Sequence, residues 1–247
     1  RVQVPAAFHL EESAPLAVPG SSRLPASRRL EAGRGQLAFG PDGRTLETAV
    51  LEGGVALSEG ERTKVTAPSA TLRAEDESAV FAGSGSERAR YEDESTRVAA
   101  DVLTWFRREK RIEGAGSVKT SFRGREGSEV LGGDSNAPVF SESDFLRVRP
   151  AERTVLLTGN VTAWQEENVL RGQSILLDDR DRSLRAEGDV RAVLRRRRVD
   201  PKTKAATVET ITASGSVLTH READRLLRIE GSANVVSGTW TMKADVT

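Results

Sequence analysis

From about Leu37 onward, apolar and polar residues alternate along the chain, interrupted by Gly, Asp and Asn clusters roughly every ten residues. Spacings of three and four, which would gather apolar residues on one face of a helix, are hard to find. The pattern predicts many short antiparallel strands and an all-β fold. In Val155-x-Leu157-x-Gly159-x-Val161-x-Ala163 the small and apolar residues share one parity. The same holds for Leu51-x-Gly53-x-Val55-x-Leu57, Ile112-x-Gly114-x-Gly116-x-Val118, Leu184-x-Ala186-x-Gly188-x-Val190 and Ile229-x-Gly231-x-Ala233-x-Val235. Successive side chains of a strand point to opposite faces, so each unit predicts one apolar and one charged face. Arg185, Glu187, Asp189 and Arg191 fill the charged parity of a single strand.

A glycine-centred step recurs within these units. Leu157-Thr158-Gly159-Asn160-Val161 has near-copies in Glu52-Gly53-Gly54-Val55, Gly114-Ala115-Gly116-Ser117-Val118, Glu187-Gly188-Asp189-Val190 and Glu230-Gly231-Ser232-Ala233-Asn234-Val235. Such self-similarity means one hairpin-sized unit stacked several times, with function expected in the stack. The glycine either marks a bulge that turns a strand around a corner or leaves inward space for a ligand; the corner is the preferred reading. Hairpin partners begin at Val102, Phe145, Ser174 and Val217, and they make Trp105, Val148, Leu177 and His220 equivalent. Longer loops fall at 124–143 and 195–210.

Residues 1–35 carry Pro5, Pro15, Pro19 and Pro25 and predict an extended segment or sheet edge. Residues 36–247 form the repeat region, with possible sub-units 36–143 and 144–247. Residues 2–10 and 240–247 are the candidate edge strands, whose open backbone groups would accept another strand. The start at Arg1 is read as a mature product, or as a chain trimmed behind a membrane anchor.

Composition narrows the function. The chain has 247 residues, and its 37 basic side chains balance its 37 acidic ones, which argues against nucleic acid as a partner. Aromatic content of 4% is lean for one large core but sufficient for a shallow sandwich. Absence of cysteine removes disulfides, thiolate metal sites and cysteine nucleophiles. No P-loop or nucleophile-elbow motif occurs. His9 and His220 lack a metal-ligand pattern, Asp178, Asp179 and Asp181 sit among turn arginines, and 195–198 reads as a solvated loop. The expectation is a non-enzyme with no cofactor, metal or catalytic residue.

The run Thr154-Val155-Leu156-Leu157-Thr158-Gly159-Asn160-Val161, followed by Asn168-Val169-Leu170-Arg171-Gly172-Gln173-Ser174-Ile175, resembles the OstA/LptA repeat of lipopolysaccharide-transport proteins. That repeat runs apolar strand, T-G-N-V, turn, then I-x-G-D-x-A-x-Y. The match is close over 144–194 and extends to 46–120 and 211–247. Gln173 replaces the usual Asp, and Leu177 or Trp105 the usual Tyr, so LptA-, LptC- and LptD-like members all stay open. The resemblance implies stacked antiparallel hairpins forming an open, V-shaped β-jellyroll. It also implies a periplasmic bridge component in outer-membrane biogenesis, partnered by lipopolysaccharide or a related glycolipid. Other transport proteins, or further copies of the chain, would join it by edge-strand pairing.

With an inward parity lining an open groove, the candidate lipid contacts are Val55, Leu57, Leu103, Trp105, Val118, Val155, Leu157, Val161, Ile175, Leu177, Leu184, Val190, Ile229 and Val235. The competing reading packs each of them in a dry core. A second functional reading is a self-assembling β-scaffold with no ligand. A carbohydrate-active solenoid would need acidic pairs and aromatic platforms, and this chain has one tyrosine.

Overall fold

A computed structural model describes residues 2–4, 7–12, 28–123, 131, 137–199, 206–223, 226–238 and 240–244. Among these residues there are nineteen β-strands and no helix, and every strand pair with a stated register is antiparallel. The chain divides into two compact units, Arg1–Gly116 and Ser117–Thr247. The first unit takes in strands from residues 1–35 as well as from the repeat region.

Unit 1 contains β1 (Val2–Val4), β2 (Phe8–Glu12), β3 (Arg28–Ala32), β4 (Arg34–Phe39), β5 (Leu46–Glu59), β6 (Thr63–Arg73), β7 (Ser78–Ala82), β8 (Ala89–Glu92), β9 (Thr96–Ala100) and β10 (Val102–Phe106), and it shares β11 (Arg111–Phe122) with unit 2. One layer runs β1, β4, the first half of β5, the last residues of β6, β7, β10 and the start of β11. The other runs β2, β3, the end of β5, the start of β6, β8 and β9. Long strands therefore pass from one layer to the other. Paired strands such as β3 and β4, separated only by Gly33, are the two arms of one bent strand.

Unit 2 repeats the plan with β12 (Val139–Arg149), β13 (Thr154–Gln165), β14 (Asn168–Asp178), β15 (Ser183–Val199), β16 (Ala206–Arg221), β17 (Leu226–Glu230), β18 (Ala233–Ser237) and β19 (Trp240–Ala244). β17 pairs with one half of β16 and β18 with the other, so they too are arms of a bent strand.

The recurring glycine step is the corner. At Gly159 and Asn160 φ is 78° and 47°, and the β13–β14 register shifts between Thr158 and Val161. The same two-residue positive-φ step occurs at Gly53–Gly54, Gly116–Ser117, Gly188–Asp189 and Gly231–Ser232. Glycine adopts this conformation at little steric cost, and one inserted residue bends the strand. Space also demands glycine at these corners. A Cβ on Gly159 would meet Asp144 Oδ2 at 2.5 Å, and one on Gly188 would meet Gln173 Cβ at 2.7 Å.

Because the extra residue sits in alternate strands, their unbulged neighbours change parity at the corner. In β13 the buried positions stay odd: Val155, Leu157, Val161 and Ala163. In β14 they pass from Asn168, Leu170 and Gly172 to Ile175 and Leu177. Both arms thus keep an apolar face toward the interior of the unit.

Candidate functional site

The interior of unit 1 is incompletely filled. Cross-strand pairing places Ala49, Leu72, Ala79 and Trp105 in one row of the first layer. Leu30 and Leu57 stand opposite each other in the second layer. Between these surfaces lies a cavity of about 490 Å³, lined by Leu30, Leu46, Leu57, Leu72, Ala79 and Trp105, with Arg28, Glu47, Arg73, Ala74, Glu77, Ser78 and Arg107 completing its wall. That volume is in the range of small-molecule sites. On the wall, Arg28 donates to Glu59 Oε1 from Nε at 2.9 Å and from Nη2 at 2.6 Å.

Unit 2 contains the same position and has closed it. Val155, Leu177, Leu184 and His220 form the row matching Ala49, Leu72, Ala79 and Trp105. The adjoining turns also match. Ala74 N donates to Glu47 O at 2.9 Å, as Asp179 N does to Arg153 O at 3.1 Å. Arg107 N reaches Glu77 O at 3.1 Å, as Glu222 N reaches Arg182 O at 3.1 Å. The space there, bounded by Phe122, Leu177, Asp178, Asp179, Arg182, Ser183, His220 and Glu222, is only about 10 Å³, room for about one water.

Side-chain size explains the difference. Unit 1 has Ala49, Ala74 and Ala79 where unit 2 has Val155, Asp179 and Leu184. Phe122 adds a buried ring in unit 2. Two ion pairs lock the same end: Arg153 with Asp179 at 2.7 Å and Arg182 with Glu222 at 3.0 Å. Asp179 is 5% exposed, so this ion pair lies largely out of solvent.

The fourteen candidate contacts fall into two groups. Leu57 and Trp105 meet at the unit 1 cavity. Val55, Leu103, Val118, Val155, Leu157, Val161, Ile175, Leu177, Leu184, Val190 and Val235 are buried in the apolar interiors of their units, and Ile229 is half-buried. Leu30, Leu46 and Leu72 line the cavity without having been singled out by parity. The alignment of the Ala49 and Ala79 hairpins against those of Val155 and Leu184 brings out Leu46 and Leu72, whereas Leu30 lies on β3 outside both hairpins.

A second polar feature closes part of unit 2. Gln165 and Asn168, both buried, flank the β13–β14 turn. Gln165 Oε1 accepts from Leu131 N at 3.1 Å, its Nε2 donates to Ala137 O at 2.8 Å, and Asn168 Nδ2 donates to Leu131 O at 3.0 Å. Leu131, which lies between β11 and β12 in the chain, is thereby held in a buried position.

Perturbed ionisation is local. Burial, reinforced by a 2.5 Å hydrogen bond donated to Asp93 Oδ2, pushes the Tyr91 hydroxyl far above its ordinary value. The Thr45 hydroxyl and amide hold Asp42 below the usual carboxylate value, and the Ser78 hydroxyl does so for Asp76. Each is a turn or packing contact. Among the described residues, no cluster of His, Asp or Glu is placed to hold a metal ion, and no helix is long and apolar enough to cross a membrane. Side chains 196–198 of the arginine run lie outside the described residues.

At the sheet margins, β1 pairs with β4 and β2 with β3, while β19 pairs with β18. All five residues of β19 are exposed, including Trp240 and Met242. Residues 245–247 of the expected C-terminal edge lie outside the described residues.

No protein-family model matches the chain, and no curated protein does. Among solved structures, it is similar to LptH, the LptA homologous periplasmic component of the lipopolysaccharide transport device from Pseudomonas aeruginosa. The sequences are 16% identical, the match covers 51% of this chain and 82% of LptH, and the TM-score is 0.42.

Proposed function

We propose that this chain is a non-catalytic lipid carrier of a periplasmic lipopolysaccharide-export route. Its ligand would be lipopolysaccharide or a related glycolipid, held with its acyl portion in the unit 1 cavity. The observation that carries this reading is the contrast at one repeat position, open between Leu57 and Trp105 and sealed between Leu177 and His220. An apolar void of that size costs stability if left empty, whereas acyl chains gain about 0.8 kcal/mol per buried methylene. About ten methylenes contribute on the order of 8 kcal/mol before the costs of ordering. The resemblance of the unit around Thr158-Gly159-Asn160-Val161 to the OstA/LptA repeat directs the choice of lipid toward lipopolysaccharide.

Transfer of a lipid along a route needs neighbours. Strands β1 and β2 at one margin and β19 at the other are suited to strand addition by another transport protein or another copy. In this reading the buried residues such as Leu157 and Ile175 build the frame, and Leu57 and Trp105 touch the lipid.

Mass spectrometry of lipids co-purifying with the chain from a detergent-free periplasmic extract tests the proposal. A lipid A-containing species at stoichiometric level supports it. A self-assembling scaffold would instead show filaments and no bound lipid.

A further inference from the structure

The two matching positions differ in charge as well as in volume. Glu47, Arg73, Glu77 and Arg107 of unit 1 stand where unit 2 has Arg153, Asp178, Arg182 and Glu222, so every sign is reversed. Neutral Ala74 stands where unit 2 has Asp179. Around the open cavity the charged lining side chains are Arg28, Arg73, Arg107, Glu47 and Glu77, with Arg28 held by Glu59 at 2.6 Å. Glu77 also accepts from Arg108 at 3.2 Å. Around the sealed one they are Asp178, Asp179 and Glu222 with a single arginine, Arg182. Asp76 stands close enough to Arg73 to feel its charge, yet it is exposed and lies outside the cavity lining.

We propose that the open end of unit 1 binds one anionic amphiphile per chain, with its apolar tail inward between Leu57 and Trp105 and its head group at Arg73 and Arg107, and that unit 2 refuses the same molecule. This rests on the lipid-carrier reading and adds to it a polarity, a stoichiometry and a head-group charge. The physical grounds are three. The wall nearest the interior is leucine, alanine and tryptophan, which receives a hydrocarbon tail. Arg73 and Arg107 are exposed where the chain leaves β6 and β10, so a charged head placed there remains hydrated while forming charge-assisted hydrogen bonds. In unit 2 the carboxylates of Asp178, Asp179 and Glu222, the last two paired with Arg153 and Arg182, stand where that head would lie, and the filled interior has no room for the tail.

The test is calorimetric titration of the full chain with three monomeric ten-carbon probes: decyl phosphate, decanoate and uncharged decanol. The proposal expects decyl phosphate to saturate at one per chain and to bind about tenfold more tightly than decanol. Decanoate in place of decyl phosphate as the tighter probe identifies a carboxylate head and equally supports an anionic site. Arg73→Gln with Arg107→Gln should erase the preference for charge, with decanol and decyl phosphate then binding alike and far-UV circular dichroism showing the variant folded. Equal affinity for charged and uncharged probes, or two sites per chain, would overturn the proposal while leaving the lipid-carrier reading standing. Absence of binding by all three probes would overturn both.

Discussion

Asp144 accepts a hydrogen bond from the Asn160 side-chain amide, Oδ2 to Nδ2 2.9 Å, across the corner where β12 meets β13. Its carboxylate also occupies the space that a Cβ on Gly159 would need. Glycine and its neighbour are therefore fixed by two different demands: positive φ at both, and a polar side chain seated against the first.

Gly159→Ala should destabilise the chain by about 2–4 kcal/mol, combining left-handed strain with displacement of Asp144. Gly54→Ala carries similar strain, at φ 83°, with nothing within 4 Å of the added Cβ. Its cost should be nearer 1 kcal/mol. Urea denaturation of both variants checks the difference, and equal losses would show that the contact with Asp144 contributes nothing.

The single tyrosine supplies a pH test. Tyr91 is held neutral by burial and by Asp93, so its folded pKa lies above its unfolded value of about 10. Above pH ~10 the unfolded chain releases a proton that the folded chain retains, so stability falls as pH rises. Below that value the contribution is fully present. Tyrosinate absorbance should appear only with unfolding, and Tyr91→Phe should flatten the alkaline loss. A hydroxyl that titrates near pH 10 in the folded chain would contradict its placement.

Gln165→Leu should cost about 2–4 kcal/mol, because it leaves Leu131 N and Ala137 O without their buried partner. Thermal unfolding should shift down by roughly 2–4 °C for each kcal/mol in a chain of this size. A neutral result would mean that water replaces the amide.

Ala79→Leu copies Leu184 of unit 2 into the open unit. Filling the void should raise stability by about 1–2 kcal/mol and reduce lipid co-purification at least tenfold. Stability gained at the expense of binding is the expected sign of a functional cavity. A stabilised variant that still retains its lipid would place the ligand elsewhere.

Much of the architecture was legible in the alternation. Each of the five glycine steps read from the sequence is a corner, and the odd-numbered run from Val155 to Ala163 is the buried face of β13. The change of parity in β14, from Gly172 to Ile175, was not legible, because the inserted residue that causes it lies in the neighbouring strand. The cavity was hidden for a related reason. Alternation says which way Leu57 and Trp105 point, but an empty space depends on what Ala49, Ala74 and Ala79 fail to fill across the layers. The segment from Val2 to Glu12, read as extended or edge, contributes strands paired with β4 and β3.

Positions 105 and 220 share one register in the two units, so a photo-reactive side chain at each, in cells making lipopolysaccharide, tests the assignment most directly. The account predicts lipid capture at 105 and background at 220. Equal capture at both, or capture at 220 alone, would contradict it.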